Sequence, residues 1–352
     1  MTSTLVKPLV AALVLLAVSR GSTVTDDQLR EVTNSMWILD ENEVGSLLEL
    51  DLQGDKFANC SENFTPLFTK HPPFIKGTWP YFMNLLDNYE PDVQISENPW
   101  SGAEQELKEF VEQLWITKPI ILAKDFLIQN EFVQNQDEFQ EKFKTIWFER
   151  YKRCSRDCAL RSSSGFEHVF LGEIKSQNPI GFHGWAYFSE KEKDRQIDYQ
   201  GVKHFKRLSK DYVFVQVSFK FRDYCKDITS LLIGSSVELE MAILTVCWFA
   251  RPNGGCPAQM GRFNVTVMTF VQDMKYVGSG YISDVVGTDW IAPPNTESNQ
   301  PNGQRRQRDQ FDRTQLLDLP LKRFLVNSGN HLATVDREKD QTRKDNVSNL
   351  PF

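Results

Sequence analysis

The sequence predicts an α+β fold, a helical N-terminal layer followed by an antiparallel β-sheet region, on three observations. Residues 102–150 repeat apolar side chains at helical spacing; Tyr212–Phe221 carries an apolar residue at every second position; and two further strand-like runs follow a capped helix near the end of the patterned region. Helices first and strands later argue against alternating βαβ units. Taken in order, residues 25–60 read as helical, with Thr25 and Asp26 able to cap and Leu29, Val32, Met36 and Ile38–Leu39 forming a stripe. Residues 61–101 are proline-rich and predict irregular backbone. Ser101, with Glu104 three residues on, opens the strongest helical stretch, whose apolar side holds Phe110, Val111, Leu114 and Ile121. The character changes near residue 165. In Tyr212–Phe221 the residues Val213, Val215, Val217, Phe219 and Phe221 all fall on one face, the period of a strand. Ser235 and Glu238 have the spacing of a capping box before a helix whose Leu239, Ile243 and Val246 share a face; Asn264–Val271 and Tyr276–Ile282 then read as paired strands.

The 352 residues divide on this reading into a leader (1–22), one domain (23–292) and a polar tail (293–352). The domain has a helical part, about 23–160, and a β-rich part, about 161–292. The tail predicts solvated chain, with Arg305, Arg306 and Arg308 as a short basic run and Leu316–Leu325 as one possible extra element. The leader has the anatomy of a secretory signal: Lys7, then ten apolar residues Leu9–Val18, then small residues. The alternative is a membrane anchor, but ten residues rise only about 15 Å as a helix, half of a bilayer core. The expectation is therefore a secreted, extracellular protein without a membrane anchor, and a monomer. Export makes the six cysteines (Cys60, Cys154, Cys158, Cys225, Cys247, Cys256) disulfide candidates. Six cysteines allow fifteen pairings; Cys247 and Cys256 suggest a local pair because they flank the turn-forming Arg251–Gly255. Cys154 and Cys158 lack the second ligand pair of a zinc site. Asn59, Asn264 and Asn346 head glycosylation sequons; Asn264 opens an apolar run, a setting that predicts burial, and the sequon at Asn63 is discounted because Pro66 follows its Thr. The formal net charge of −7 argues against non-specific wrapping of nucleic acid, but not against a local basic cleft.

Of five histidines, two stand fifteen residues apart in glycine-flanked aromatic segments, Ser163-Ser-Gly-Phe-Glu-His168-Val-Phe-Leu-Gly-Glu173 and Gly181-Phe-His183-Gly-Trp185. A turn near Asn178–Pro179 would set two short strands side by side and bring the imidazoles face to face. Such a pair suits a reaction in which one oxygen loses a proton while another gains one. RNA transesterification is such a reaction: the 2′-hydroxyl is deprotonated, the 5′-oxygen is protonated, and a cation or N–H groups stabilise the phosphorane. His204, in the cluster Lys203-His-Phe-Lys206-Arg207, reads as a solvated turn; phosphate contact is the alternative.

These motifs resemble the signature of the poly(U)-specific endoribonucleases, the EndoU or XendoU family, related in catalytic domain to a coronaviral uridylate-specific endoribonuclease. The resemblance extends to Asp198-Tyr-Gln-Gly201, to Lys226 ahead of Ile233-Gly-Ser-Ser-Val-Glu-Leu-Glu-Met-Ala242, and to Gly278-Ser-Gly-Tyr281, covering roughly residues 25–292. It implies an EndoU-like fold and cleavage of single-stranded RNA at uridines, leaving 2′,3′-cyclic phosphate and 5′-hydroxyl ends. It implies that His168 and His183 are the acid and base, that Lys226 stabilises the phosphorane with a backbone N–H near Gly181, and that Glu167 and Glu173 support the imidazoles. Ser279 and Tyr281 would bind uracil. It also implies dependence on Mn²⁺, although the sequence shows no compact ligand cluster. Asp227 stands where relatives often carry Pro, and a carboxylate there is placed to draw Lys226 away. The competing reading is a secreted RNA-binding glycoprotein of the same fold with little or no catalysis. A protease reading finds no G-x-S-x-G or H-E-x-x-H motif.

Overall fold

The computed structural model describes residues 24–54, 60, 65–87, 89–95, 103–153 and 161–291. The expected leader, Ser101, Cys154, Cys158, the sequons at Asn59, Asn63 and Asn346, and the tail with its arginines lie outside the described residues.

Helix α1 (Asp26–Ile38) begins at a reciprocal cap: Gln28 N–H donates to Thr25 Oγ1 at 3.2 Å and Thr25 N–H donates to Gln28 Oε1 at 2.9 Å. It stops at Ile38 rather than running on to residue 60. Asp40 turns inward, where Tyr212 Oη and Ser236 N–H both donate to its Oδ2, at 2.9 and 3.0 Å. That anchoring ends the helix, and the chain continues through a 3-10 turn (Gly45–Leu47) into β1 (Glu49–Leu50), which pairs with β2 (Phe68–Lys70). After the short α2 (Trp79–Asn84), the expected long helical stretch is three helices: α3 (Ala103–Leu114), α4 (Lys118–Gln129) and α5 (Gln136–Phe148). The breaks have local causes. Pro119 sits in the first turn of α4, and the Asn135 side chain caps α5 by accepting from Glu138 N–H at 3.0 Å.

Beyond residue 160 come a single π-helical turn (Glu167–Leu171), the hairpin β3 (Glu173–Lys175) and β4 (Asn178–Ile180), and α6 (Trp185–Lys193). An antiparallel sheet follows, β5 (Ile197–Arg207), β6 (Val213–Phe221) and β7 (Tyr224–Ile233), with β6 central. Helix α7 (Val237–Ala250) leads to a second sheet, β8 (Gly254–Met260), β9 (Phe263–Gln272) and β10 (Tyr276–Val286), with β9 central. The architecture is α+β with antiparallel sheets, as the pattern predicts. The order is less tidy than helices first and strands later, because α6 and α7 lie within the β-rich part.

Helix α7 is the largest departure from a simple amphipathic reading. From Val237 to Cys247 all its residues except Glu240 are buried, so it has no single apolar face; it is a core helix. Its cap is Ser236, which accepts from Leu239 N–H at 3.1 Å; Ser235 instead donates to Leu232 O at 2.6 Å and Glu240 at 2.8 Å. One aromatic-rich core runs through both halves of the chain, joining Trp79, Phe110 and Trp147 of the helical layer to Trp185, Phe214 and Phe219. The outer edge of β8 is covered by α1, whose Thr33 and Asn34 side chains accept from Gln259 N–H and Gly261 N–H at 3.0 and 2.7 Å.

Cys247 and Cys256 form the expected local disulfide, and Cys60 pairs with Cys225 across 165 residues. Asn264 is exposed, contrary to the expectation from its apolar neighbours, because strand alternation turns it outward between buried Phe263 and Val265. His204 is not in a turn: it lies within β5 opposite Gln216, with its side chain exposed.

Candidate active site

Two neighbouring segments carry the histidines, and glycines let them touch. The hairpin turns at Ser176–Gln177, both left-handed (φ 50° and 66°), two residues earlier than the expected Asn178–Pro179. The imidazoles are not on its strands. His168 lies on the π turn that precedes β3, and His183 in the loop that leads from β4 into α6. The backbones meet directly: Phe182 N–H donates to His168 O at 3.2 Å and His183 N–H donates to Val169 O at 2.7 Å. A Cβ on Gly181 would stand 1.8 Å from His168 O, and its φ is +69°. Only glycine fits that approach. The Phe182 and His183 N–H groups are thus already committed, and Gly181 serves the close contact itself.

The two rings have different backing. His168 is 5% exposed, and its Nδ1 lies 2.7 Å from Glu173 Oε2. The same carboxylate oxygen meets Arg153 Nε at 2.9 Å. Burial pushes the Glu173 carboxyl up to about 7, and Arg153 pulls it back down. Burial, then the charges of Arg153 and Lys226, hold His168 well below the ordinary imidazole range. His183 is only partly buried. Its Nδ1 faces Ser230 O at 3.2 Å and Thr229 Oγ1 at 3.3 Å. A carbonyl only accepts, so Nδ1 carries the proton and Nε2 keeps its lone pair. Thr229 Oγ1 itself donates to Phe182 O at 2.6 Å, which anchors the loop to β7. Desolvation first, then Lys226, lower the His183 pKa to about 3.

Lys226 lies on β7 opposite Phe219 and is half-buried. Its charge depresses both imidazoles, and His168 also depresses His183. The three groups therefore converge within electrostatic reach. Burial lowers the Lys226 pKa and Asp227 raises it. Among the described residues Asp227 makes no ion pair with Lys226 within 4 Å, so it favours the charged ammonium without capturing it. Beside Lys226, Cys225 is bonded to Cys60, which ties this strand to the N-terminal layer.

Ser279 and Tyr281 lie on one face of β10, both partly exposed. The Tyr281 ring stacks on His183, with centroids 4.7 Å apart and planes at 20°. Phe270, opposite Ser279 on β9, lies 6.2 Å from Tyr281 at 26° and is 37% exposed. Among the described residues Glu167 makes no hydrogen bond or ion pair to either imidazole. It pairs with Arg150 at 3.6 Å, and burial raises its carboxyl to about 7. Arg153, Thr229, Ser230 and Phe270 were not singled out in the sequence. Their types are ordinary and their neighbours carry no motif; only the tertiary register brings them to the histidines.

A model of the family described as endoribonuclease XendoU matches residues 28–282. The chain belongs to this family. It is 30% identical over 277 residues to the poly(U)-specific endoribonuclease-B of Xenopus laevis, covering 72% of this chain and 92% of that protein. It is 29% identical over 270 residues to the uridylate-specific endoribonuclease EndoU of Drosophila melanogaster, covering 73% and 83%. It spans 64% of the length of the uridylate-specific endoribonuclease of Bos taurus. A solved structure of XendoU, described as a splicing-independent snoRNA-processing endoribonuclease, superposes with a TM-score of 0.62 at 25% identity, covering 74% of this chain and 97% of that one.

For the manganese that the resemblance implies, the described residues form no cage. Among the described residues no group of three or more His, Cys, Asp or Glu side chains is placed to share an ion. Glu167 and Glu173 each turn toward an arginine instead. No described helix is long and apolar enough to cross a membrane.

Proposed function

We propose that this protein is a secreted endoribonuclease that cuts single-stranded RNA at uridines by transesterification, leaving 2′,3′-cyclic phosphate and 5′-hydroxyl ends. The observation that carries this reading is the convergence of two differently backed imidazoles and one ammonium. His183, neutral with its Nε2 lone pair free, is suited to take the proton of the 2′-hydroxyl. His168 has a carboxylate behind Nδ1, which stabilises an imidazolium, so it is suited to protonate the departing 5′-oxygen. Lys226 is placed to offset charge on the phosphorane. In the RNA-free protein both rings are held neutral; the incoming phosphate brings the negative charge that raises the acid's affinity for its proton. Tyr281 and Ser279 flank the same cleft, a ring to stack on the base and a hydroxyl to bond its edge.

Supporting export, the described part contains two disulfides and an exposed sequon at Asn264, while Asn59 and Asn346 are proposed as further glycosylation sites on sequence alone. Manganese dependence rests on the resemblance alone, and no step above runs through a metal ion. The test uses a uridine-containing oligonucleotide and its counterpart with a 2′-deoxyuridine at the cut position. Cleavage of the first to a cyclic phosphate, and none of the second, is expected. Equal cleavage of both refutes transesterification.

A further inference from the structure

On the reading of the site as a uridine-specific nuclease, we infer that Arg153 is a positioning residue that couples base recognition on β10 to proton transfer at His168. The guanidinium hydrogen-bonds to both parts of the cleft at once. On one side its Nε is shared between Ser163 Oγ at 3.0 Å and Glu173 Oε2 at 2.9 Å, and Glu173 holds His168 Nδ1. On the other side its Nη2 donates to Gly278 O at 2.6 Å and to Tyr151 Oη. Tyr151 Oη donates in turn to Val277 O at 3.0 Å, and Arg153 lies over the Tyr151 ring at 5.1 Å.

Val277 and Gly278 immediately precede Ser279. The register of β10 shifts between Val277 and Ser279, so Gly278 is the irregular residue of the ladder, and its carbonyl is taken up by Arg153. A guanidinium is a rigid plane. A movement of Gly278 at one arm therefore turns the other arm against Glu173. The side chain is 13% exposed and needs no contact with RNA to act this way. A base that seats poorly against Ser279 and Tyr281 displaces β10 at Gly278, loosens Glu173 and misaligns His168. Discrimination then falls on the chemical step rather than on binding.

The experiment measures single-turnover rate and KM on paired dinucleotides, uridine or cytidine at the cut, for wild type, Arg153→Met, Arg153→Lys and Arg153→Met with Ser279→Ala. Arg153→Met is expected to lower the rate on uridine about 10–100-fold, to leave KM within about threefold, and to shrink the uridine-to-cytidine rate ratio toward unity. The acid limb of its rate–pH profile moves to higher pH, because Glu173 loses the cation that favours its ionised form. Arg153→Lys restores that limb but not the ratio, since an ammonium lacks the second arm. Ser279→Ala costs less in the Arg153→Met background than in wild type. Equal losses on both bases, with additive effects of the two substitutions, overturn the coupling and leave Arg153 as a simple support for Glu173. If Arg153→Met does not fold, Tyr151→Phe, which removes one hydroxyl of the same bridge, is read against the same ratio. A wild-type protein that cuts neither dinucleotide sinks the nuclease reading itself.

Discussion

The two histidine segments place the same side chain in opposite company. His168 rides a π turn, almost fully buried, with a carboxylate at 2.7 Å and an arginine behind it. His183 sits in a loop of left-handed residues, partly open, with a carbonyl at 3.2 Å and a tyrosine ring against its face. A carboxylate tolerates an imidazolium; a carbonyl fixes a tautomer without a compensating full charge. On the proposed reading, what stands behind each ring, not the ring's sequence motif, separates the acid from the base.

The sharpest way to break that contrast is to change the leaving group. His168→Ala and His183→Ala are each expected to lose about 10³-fold or more in rate on RNA. On uridine 3′-(p-nitrophenyl phosphate), whose leaving group needs no proton, His168→Ala regains most of its activity and His183→Ala does not. Rescue of the opposite variant would reverse the assignment. Next in size, Lys226→Ala loses about 10²–10³-fold, the cost of removing one charge stabiliser from a transition state. Asp227→Asn, by contrast, stays within a few-fold of wild type, because Asp227 does not capture the ammonium; kcat for the two variants decides it. Smaller again, Tyr281→Ala weakens uridine binding by about 1–3 kcal/mol, the worth of one stacked base, measured as the Kd for a non-cleavable 2′-deoxyuridine oligonucleotide.

The smallest effect concerns the whole fold. Asp40, Glu173 and Glu192 are pushed up to about 7 and Glu240 to about 8, chiefly by burial. These carboxyls ionise near 4.5 or below when unfolded, so their contribution to stability is lost as pH rises from there toward 7–8. The depressed histidines work the other way: the unfolded chain takes up their protons as pH falls below about 6.5. Carboxyls outnumber histidines in the overlapping window. Thermal unfolding is therefore expected at higher temperature at pH 5.5 than at pH 8, and a melting temperature that rises across that interval contradicts the buried-acid picture.

Much of the frame was legible in the sequence because it rests on local periodicity. The alternation of Val213–Phe221 gave β6, and Asn264–Val271 with Tyr276–Ile282 gave β9 and β10. What was not legible depends on partners distant in sequence. Helix α1 ends at Ile38 because Asp40 is drawn to Tyr212 and Ser236, 172 and 196 residues away. Helix α7 is buried on all sides, which no single amphipathic stripe can announce. In the candidate site, the histidines, Lys226, Ser279 and Tyr281 were singled out through motifs that resemble the family's. The backing groups escaped notice: Ser230 acts through its backbone oxygen, and Arg153 reaches the cleft from a segment without a distinguishing pattern.

The central claim, two imidazoles that take different protonation states beside one ammonium once RNA binds, is most directly tested by nitrogen NMR of ¹⁵N-histidine-labelled protein. Spectra are followed through pH with and without an oligonucleotide carrying 2′-deoxyuridine at the cut site. The account predicts that His183 stays neutral with its proton on Nδ1 throughout neutral pH, while His168 becomes doubly protonated only in the complex. A complex in which His183 is the charged ring, or in which neither ring changes, contradicts it.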